Sequence, residues 1–343
     1  MRIFVYEFLT GGGCFALGDE PPAGSLLAEG QAMRDALASD FAAIAEVEQV
    51  HLLHDARLPP PRIPKQHWHA VYSAADERRL FGETAAAANA AIIIAPEFSS
   101  QLLQRVQLAE EQKAKLLSPS SAVVELCSNK QQTCEHLSKY NVPTPRGISF
   151  AAAVPTLDET LFPAVLKPLD GAGSQFVRLV NSPTEFNSLD LTQTKAWRLE
   201  QFHPGSTVSV ALIAGQLGCF ILPPCAQLLS TDGRFTYLGG STPLPPHLAV
   251  RATRLAQAVA RALPAARGYL GIDMVLGDAE NGAHDVVIEI NPRLTTSYLG
   301  LRQACQQNLA EAMLRRLAGK TISLSFREQT IEFSAIDNQV KLP

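Results

Sequence analysis

The sequence predicts an α/β protein whose first third is a doubly wound parallel sheet and whose remainder mixes hairpins with helices. Three observations predict it. Short β-branched runs alternate with helical stretches through about residue 117. Paired apolar runs joined by glycines follow between about 162 and 222. The run Val286-Val-Ile-Glu-Ile290 then carries a carboxylate inside an otherwise buried strand, which is hard to leave unpaired.

The 343 residues are 46% hydrophobic and 18% charged, enough for a sizeable core in two or three lobes. The formal net charge is −4 and the Lys and Arg residues are scattered, so there is no global basic footprint for nucleic acid. Six cysteines (Cys14, Cys127, Cys134, Cys219, Cys225, Cys305) form no CxxC pair and no zinc-like spacing. Reduced thiols in a cytoplasmic protein are therefore expected. No apolar run reaches the ~18 residues of a membrane helix. The N-terminus reads as a first strand rather than a signal peptide.

Residues 2–9 alternate as a strand, and Thr10-Gly-Gly-Gly13 follows as a turn. The turn lacks GxGxxG spacing, so it is weak as a phosphate loop and reads as a substrate-carboxylate loop or a plain turn. Residues 24–40 are helical, with Leu26, Leu27, Met33 and Leu37 on one stripe. A strand at 47–53, a break at Pro59-Pro-Pro61, a short strand starting at Val71, a helix at 76–91 and a buried strand at 92–95 follow. A helix at 102–117 leads to Ser118-Pro-Ser-Ser121, which marks a boundary and leaves residues 1–118 as an N-terminal α/β domain.

Beyond the boundary a helix runs from about 128 to 140, and Val142-Pro-Thr-Pro145 forces an extended linker. A strand at 162–168 carries one cation, Lys167. Asp170-Gly-Ala-Gly-Ser174 is a glycine loop, and residues 176–180 return as a strand. Backbone N–H groups of such a loop approach phosphates without Cβ clashes, and Lys167 adds a point charge. A strand at 197–202 precedes His203-Pro-Gly205, and residues 207–214 and 217–222 form a hairpin through Gly215. Residues 223–247 are rich in proline and glycine and read as a lid or substrate loop. Helices at 250–263 and 308–317 follow, and residues 320–334 read as a late strand pair or a tail.

Glu289 and Asn291 lie one strand period apart and so share a face. Asp273, in a neighbouring strand at 271–276, adds a third oxygen donor. Oxygen donors on rigid strands suit a hard cation bound together with phosphates, Mg²⁺ or Mn²⁺. Pro292 ends the strand and Arg293 follows within reach. The bland alternative has Glu289 capping an edge strand in solvent.

Lys130, then Lys167 with Gly171 and Gly173, then Glu200-Gln-Phe202, then Asp273, Glu289, Asn291 and Arg293 stand in an order that resembles the ATP-grasp superfamily of carboxylate–amine ligases. The resemblance covers about residues 118–318. It implies an α+β, two-lobed ATP-grasp domain at 119–320, with a small nucleotide lobe at about 140–202, a large lobe at about 203–320 and a tail at 321–343. ATP and Mg²⁺ are the implied cofactors. Lys130 and Lys167 would hold the nucleotide phosphates beneath a loop that includes Gly171, Gly173 and Ser174. Glu200, Gln201 and Phe202 would form the hinge that reads adenine through a side chain and backbone groups. Asp273, Glu289 and Asn291 would ligate magnesium, and Arg293 would steady the acyl phosphate and the tetrahedral intermediate. Thr207 departs from the family pattern, which usually has an acidic ribose ligand there.

Such a ligase needs in-line positioning and positive charge rather than a covalent protein group. A narrower resemblance joins the opening Arg2-Ile-Phe-Val-Tyr-Glu-Phe-Leu-Thr-Gly-Gly-Gly13 and the segment Glu289-Ile-Asn-Pro-Arg-Leu-Thr-Thr-Ser297 to the tyramine–glutamate ligase group of methanofuran biosynthesis. It implies Glu7 and the glycine turn near the amino-acid substrate, with Thr295, Thr296 and Ser297 facing the active site. The expected function is amide formation between glutamate, or a similar amino acid, and tyramine, tyrosine or a related amine. The alternatives are a dipeptide or D-alanine-type ligase and a catalytically inactive ATP-binding regulator. Small-molecule amino acid and amine partners are expected, without nucleic acid or membrane, and a homodimer is left open. His69 reads as a surface residue, with substrate contact the lesser alternative.

Overall fold

The computed structural model describes residues 1–341 other than 19, 62, 64, 152–155, 172, 265 and 335–339. Ala172 of the glycine loop and parts of the expected tail therefore lie outside the described residues. Strands β1 (Arg2–Glu7), β2 (Gln49–Asp55), β3 (Gln66–Val71) and β4 (Ala90–Ile94) pair in parallel in the order β3-β2-β1-β4. Alternation along β1 sends Ile3 and Val5 to one face and Phe4 and Tyr6 to the other. Helix α1 (Gly24–Ala42) covers the first face with Met33, Leu37 and Phe41. Helices α2 (Ala74–Ala87) and α3 (Gln101–Glu111) cover the second with Phe81, Leu102 and Val106. This is the doubly wound arrangement that alternating strands and helices predict.

Several boundaries differ from expectation; the helix expected over 76–91 ends at Ala87, and Ala90 and Ala91 already belong to β4. Val71 ends a strand rather than beginning one, because the polar run Gln66-His-Trp-His69 pairs in register with β2. Helix α3 stops at Glu111, since Lys113 adopts a left-handed φ of 56°. The released segment then closes the free edge of β4. Leu116 bridges to Ala91, Leu117 N–H donates to Ala91 O at 2.7 Å, and Ser118 Oγ accepts from Ile93 N at 2.8 Å.

A short helix, α4 (Ser121–Ser128), precedes α5 (Lys130–Lys139), whose cap is the Asn129 side chain. An antiparallel sheet of β5 (Gly147–Phe150), β6 (Ala164–Pro168), β7 (Arg178–Val180) and β8 (Trp197–Gln201) has the order β5-β8-β6-β7, with α6 (Pro183–Asn187) beside it. The largest sheet holds β9 (Ser206–Gly215), β10 (Gly218–Ile221), β11 (Cys225–Leu229), β12 (Tyr237–Thr242), β13 (Gly268–Leu276), β14 (Val286–Asn291), β15 (Ile331–Ser334) and β16 (Val340–Lys341). Its order is β14-β13-β9-β11-β12-β15-β16, with β10 hairpinned onto β9. Helices α7 (Pro246–Ala262), α8 (Tyr298–Ala304) and α9 (Leu309–Leu317) back it.

The stretch 223–247 is thus two sheet strands, not a loose lid. Proline and glycine mask it in the sequence, yet the glycines serve the pairing. A Cβ on Gly239 would lie 2.3 Å from Phe333 O of β15. By the same pairing, residues 331–334 are built into the sheet rather than trailing as a tail.

Gly268 joins the N-terminal sheet to the large one. It sits at φ +78°, a Cβ there would lie 2.1 Å from Leu117 O, and the next N–H, of Tyr269, donates to that same oxygen. Gly268→Ala is expected to destabilise the protein by about 3 kcal/mol, combining left-handed strain with a backbone clash. Urea unfolding measures it, and a midpoint equal to wild type would refute the requirement.

Candidate active site

A cavity of about 540 Å³ opens between the small antiparallel sheet, the large sheet and α1. Among the residues expected to act, Lys130, Lys167, Gly171, Gly173, Ser174, Glu200, Gln201, Phe202, Asp273, Glu289, Asn291 and Arg293 all line it. So do Thr207, Thr295, Thr296 and Ser297. Glu7 and His69 are not among the lining residues. Glu7 turns onto its own loop, accepting from Leu9 N, Thr10 N and Thr10 Oγ1. His69 sits beside His51 and His67 on the β2–β3 edge.

The strand pattern explains the cluster of two carboxylates and an amide. Asp273 and Glu289 face each other across β13 and β14, with Asn291 one period further on. Asn291 Nδ2 donates to Asp273 Oδ2 at 2.9 Å, and Gln227 Nε2 to Oδ1 at 3.0 Å. Burial first, then the Glu289 charge, pushes the Asp273 carboxyl up to about 7. Burial also opposes ionisation of Glu289, but Lys130, Lys167 and Arg293 outweigh it and hold that carboxyl below its ordinary value. Glu289 is not the solvent cap of the bland alternative, although β14 is an edge strand. Its Oε2 lies 3.3 Å from Lys130 Nζ. Two adjoining half-buried carboxylates that resist sharing charge, with an amide beside them, fit an oxygen-loving divalent cation.

The cations are held firmly. Lys130 Nζ also donates to Gly171 O at 2.8 Å. Lys167 Nζ pairs with Glu200 Oε1 at 2.5 Å, and Arg198 Nε takes Glu200 Oε2 at 2.7 Å. Glu200 is therefore a buried anchor for Lys167. The glycine loop is tied from two sides. A Cβ on Gly173, at φ +65°, would meet Leu26 of α1 at 2.6 Å, and Ser174 Oγ donates to Phe235 O at 2.9 Å.

At the hinge, Gln201 N–H and Phe202 N–H already donate to Arg146 O and Pro163 O. Those two N–H groups are committed inside the protein. What faces the cavity instead is His203, whose buried Nε2 has no hydrogen-bond partner, and the stacked pair Phe202–Phe235 with centroids 6.0 Å apart. Burial holds the His203 imidazole below its ordinary pKa, against the Glu200 charge. An orphaned ring nitrogen beside an aromatic pair fits a purine base.

Arg293 lies behind the carboxylates. Its Nη2 donates to Glu97 Oε2 at 3.3 Å, while Nε approaches Oε1 at 3.0 Å without hydrogen-bond geometry. Thr207 Oγ1 donates to Gln227 O at 2.8 Å, so its hydroxyl proton is committed within the protein. Four residues that the sequence reading passed over complete the site: Glu29, Glu97, His203 and Gln227. Each comes from a position with no motif of its own.

Known proteins resemble the chain in both sequence and fold. Residues 127–297 match the family model for the ATP-grasp domain, and residues 49–124 match the pre ATP-grasp 3 domain. Two curated tyramine–L-glutamate ligases are each 26% identical to it. That of Methanocaldococcus fervens aligns over 71% of this chain and 70% of its own length, and that of Methanocaldococcus jannaschii over 66% and 61%. The crystal structure of an ATP-grasp superfamily protein from Archaeoglobus fulgidus superposes with a TM-score of 0.72 at 21% identity, covering 96% of this chain and 92% of that one. No described helix is long and apolar enough to cross a membrane. The solved structure shows the same fold nearly end to end. With two adjoining domain models spanning most of residues 49–297, the chain belongs to the ATP-grasp family of ATP-dependent ligases.

Proposed function

We propose that the protein joins glutamate, or a similar amino acid, to tyramine, tyrosine or a related amine, as a step in methanofuran-type cofactor chemistry. The curated relatives support the substrate pair. The structural observation that carries the amine half is Glu29 of α1. Among the described residues it is a cavity carboxylate with no cation within ion-pair distance, and it accepts only from Thr296 Oγ1, at 3.2 Å. A half-buried carboxylate with no counter-charge at ion-pair distance favours a ligand that brings one. An ammonium does so.

In the proposed reaction the substrate carboxylate attacks the terminal phosphate of ATP, ADP leaves, and an acyl phosphate forms; the amine, once its ammonium has given up a proton, then attacks the acyl carbon and displaces phosphate. Lys130 and Lys167 bear on the phosphates and Arg293 on the acyl oxygen. Asp273, Glu289 and Asn291 would hold Mg²⁺ or Mn²⁺, which when bound neutralises phosphate charge. The test is ADP release with amide detection by mass, glutamate plus tyramine first. The reading requires both acid and amine for ADP release. ADP release that ignores the amine, or none across a panel of acids and amines, would count against it.

Glu29 also sets a pH dependence. Burial raises its carboxyl above the ordinary value, against the Thr296 bond and Arg293. Because the folded value is the higher one, its contribution to free-protein stability is present at low pH and lost as the pH rises through that value. Ammonium binding runs the opposite way, since only the ionised carboxylate attracts it. KM for the amine should climb as the pH falls through the raised value, while KM for ATP stays level. Glu29→Gln should raise the amine KM by ~10-fold or more and flatten that slope. An unchanged amine KM would remove Glu29 from recognition.

A further inference from the structure

Five arginines are buried among the described residues: Arg34, Arg105, Arg198, Arg251 and Arg316. Four of them pair with a carboxylate, from Asp35, Glu77, Glu200 and Asp285 respectively. Arg316, only 6% exposed, has no carboxylate within ion-pair distance among the described residues. Its Nη2 donates to Gly218 O, and its buried Nε has no partner. The residue lies in the last turn of α9, so the helix end offsets part of its charge. A guanidinium this buried still calls for an anion.

Arg316 lines a second cavity, of about 840 Å³, which shares no lining residue with the first. The cavity lies between the β9–β10 hairpin, the ends of α7 and α9, and the Leu116–Leu117 segment. Arg261 and Arg267 also line it, and no described acidic residue does. Arg267 reaches Glu110 at 3.1 Å with its side chain half exposed, whereas Arg261 is exposed and has no described carboxylate partner. Much of the remaining wall is apolar, including Leu116, Ile221, Leu263 and Met313.

We propose that this second cavity binds a small amphipathic anion, with a carboxylate or phosphate-ester head on Arg316 and Arg261 and an apolar body against Leu116, Ile221 and Leu263. The charge pattern selects the head and the wall selects the body. Neither belongs to the ATP-type cavity on the far stretch of β9, which Thr207 and Ser209 line.

The probe is 8-anilinonaphthalene-1-sulfonate, an amphipathic anion, titrated by fluorescence into the full chain with and without saturating ATP and Mg²⁺. One saturable site is expected, unaffected by nucleotide, and displaced by decanoate far better than by inorganic phosphate. Arg316→Gln should weaken binding by ~10-fold or more, as loss of a charge-assisted bond does. Arg261→Gln, at the exposed rim, should weaken it by ~3-fold and keeps the test open if the buried variant fails to fold. Equal affinity in the folded variants would overturn the proposal, as would displacement by ATP and Mg²⁺ or equal competition by phosphate. So would a dimer in sedimentation that Arg316→Gln dissociates, because a second copy would then supply the counter-charge.

Discussion

Replacing Glu289 by glutamine is expected to lower amide formation by at least ~100-fold, the usual cost of losing one electrostatic contact at developing charge. Glutamine keeps the shape and the place opposite Asp273 on β14 but leaves one carboxylate where two adjoin. Lys130 loses the partner that lies 3.3 Å from its Nζ, and Asp273 loses the negative neighbour that helps to raise its carboxyl. Asp273 should then ionise at lower pH. Cation binding would not be restored, since the pair rather than either member supplies the charge. The fold should survive, because Val286, Val287 and Ile290 still fill the buried positions of the strand. Paired measurement of ADP and amide, with a urea titration as the control, decides this. Near-normal turnover in a folded variant would move the site elsewhere.

Arg293→Lys is expected to separate nucleotide binding from amide formation. The wild-type guanidinium spends one edge on Glu97, and its charge also reaches Glu289 and Glu29. Lysine keeps the charge but lacks the planar fork, so it can satisfy Glu97 or an acyl oxygen but not both. The melting shift produced by ATP and Mg²⁺ should stay within a small margin of wild type. Amide product should fall by ~100-fold or more. ADP release should fall less than product, because an acyl phosphate held on one side is open to water. If ATP affinity and product fall together, Arg293 serves the nucleotide instead. If product is unchanged, Arg293 has no part in the reaction.

Part of this site was legible because strands have a period of two. Glu289 and Asn291 could be assigned to one face from spacing alone, and Lys167 stood out as a cation in an apolar strand before a glycine loop. The N-terminal sheet was equally legible, since its β-branched runs and helical stripes each keep their period. The remainder depended on distance in space. Glu29 lies on a helix whose sequence shows only an apolar stripe, and it meets Thr296 across 267 positions. Glu97 follows a proline after a buried strand, where an acidic residue reads as a surface turn. Gln227 was hidden within a stretch whose prolines and glycines signal a loop, although Gly239 and Gly240 are what let β15 approach β12. The hinge gave a different lesson. The strand pattern and the family resemblance predicted a strand and a hinge at residues 200–202, but not that two of their N–H groups are already bonded within the protein.

Because Leu116 to Ser118 closes the outer side of β4, the end of α3 is a poor place to sever the chain. A fragment of residues 1–111 would present Ala90-Ala-Ile-Ile-Ile94 with an unpaired row of amides, no charge and no proline. Such an edge is a template for strands of other molecules, and amyloid-type or amorphous aggregation is its usual fate. Extending the fragment to 120 would restore the cover yet still strip α1 of Leu301, Leu309 and Met313, which share its apolar cluster. The N-terminal third is therefore not an exchangeable cassette. Grafting it onto another ligase would require carrying the surface of α8 and α9 with it.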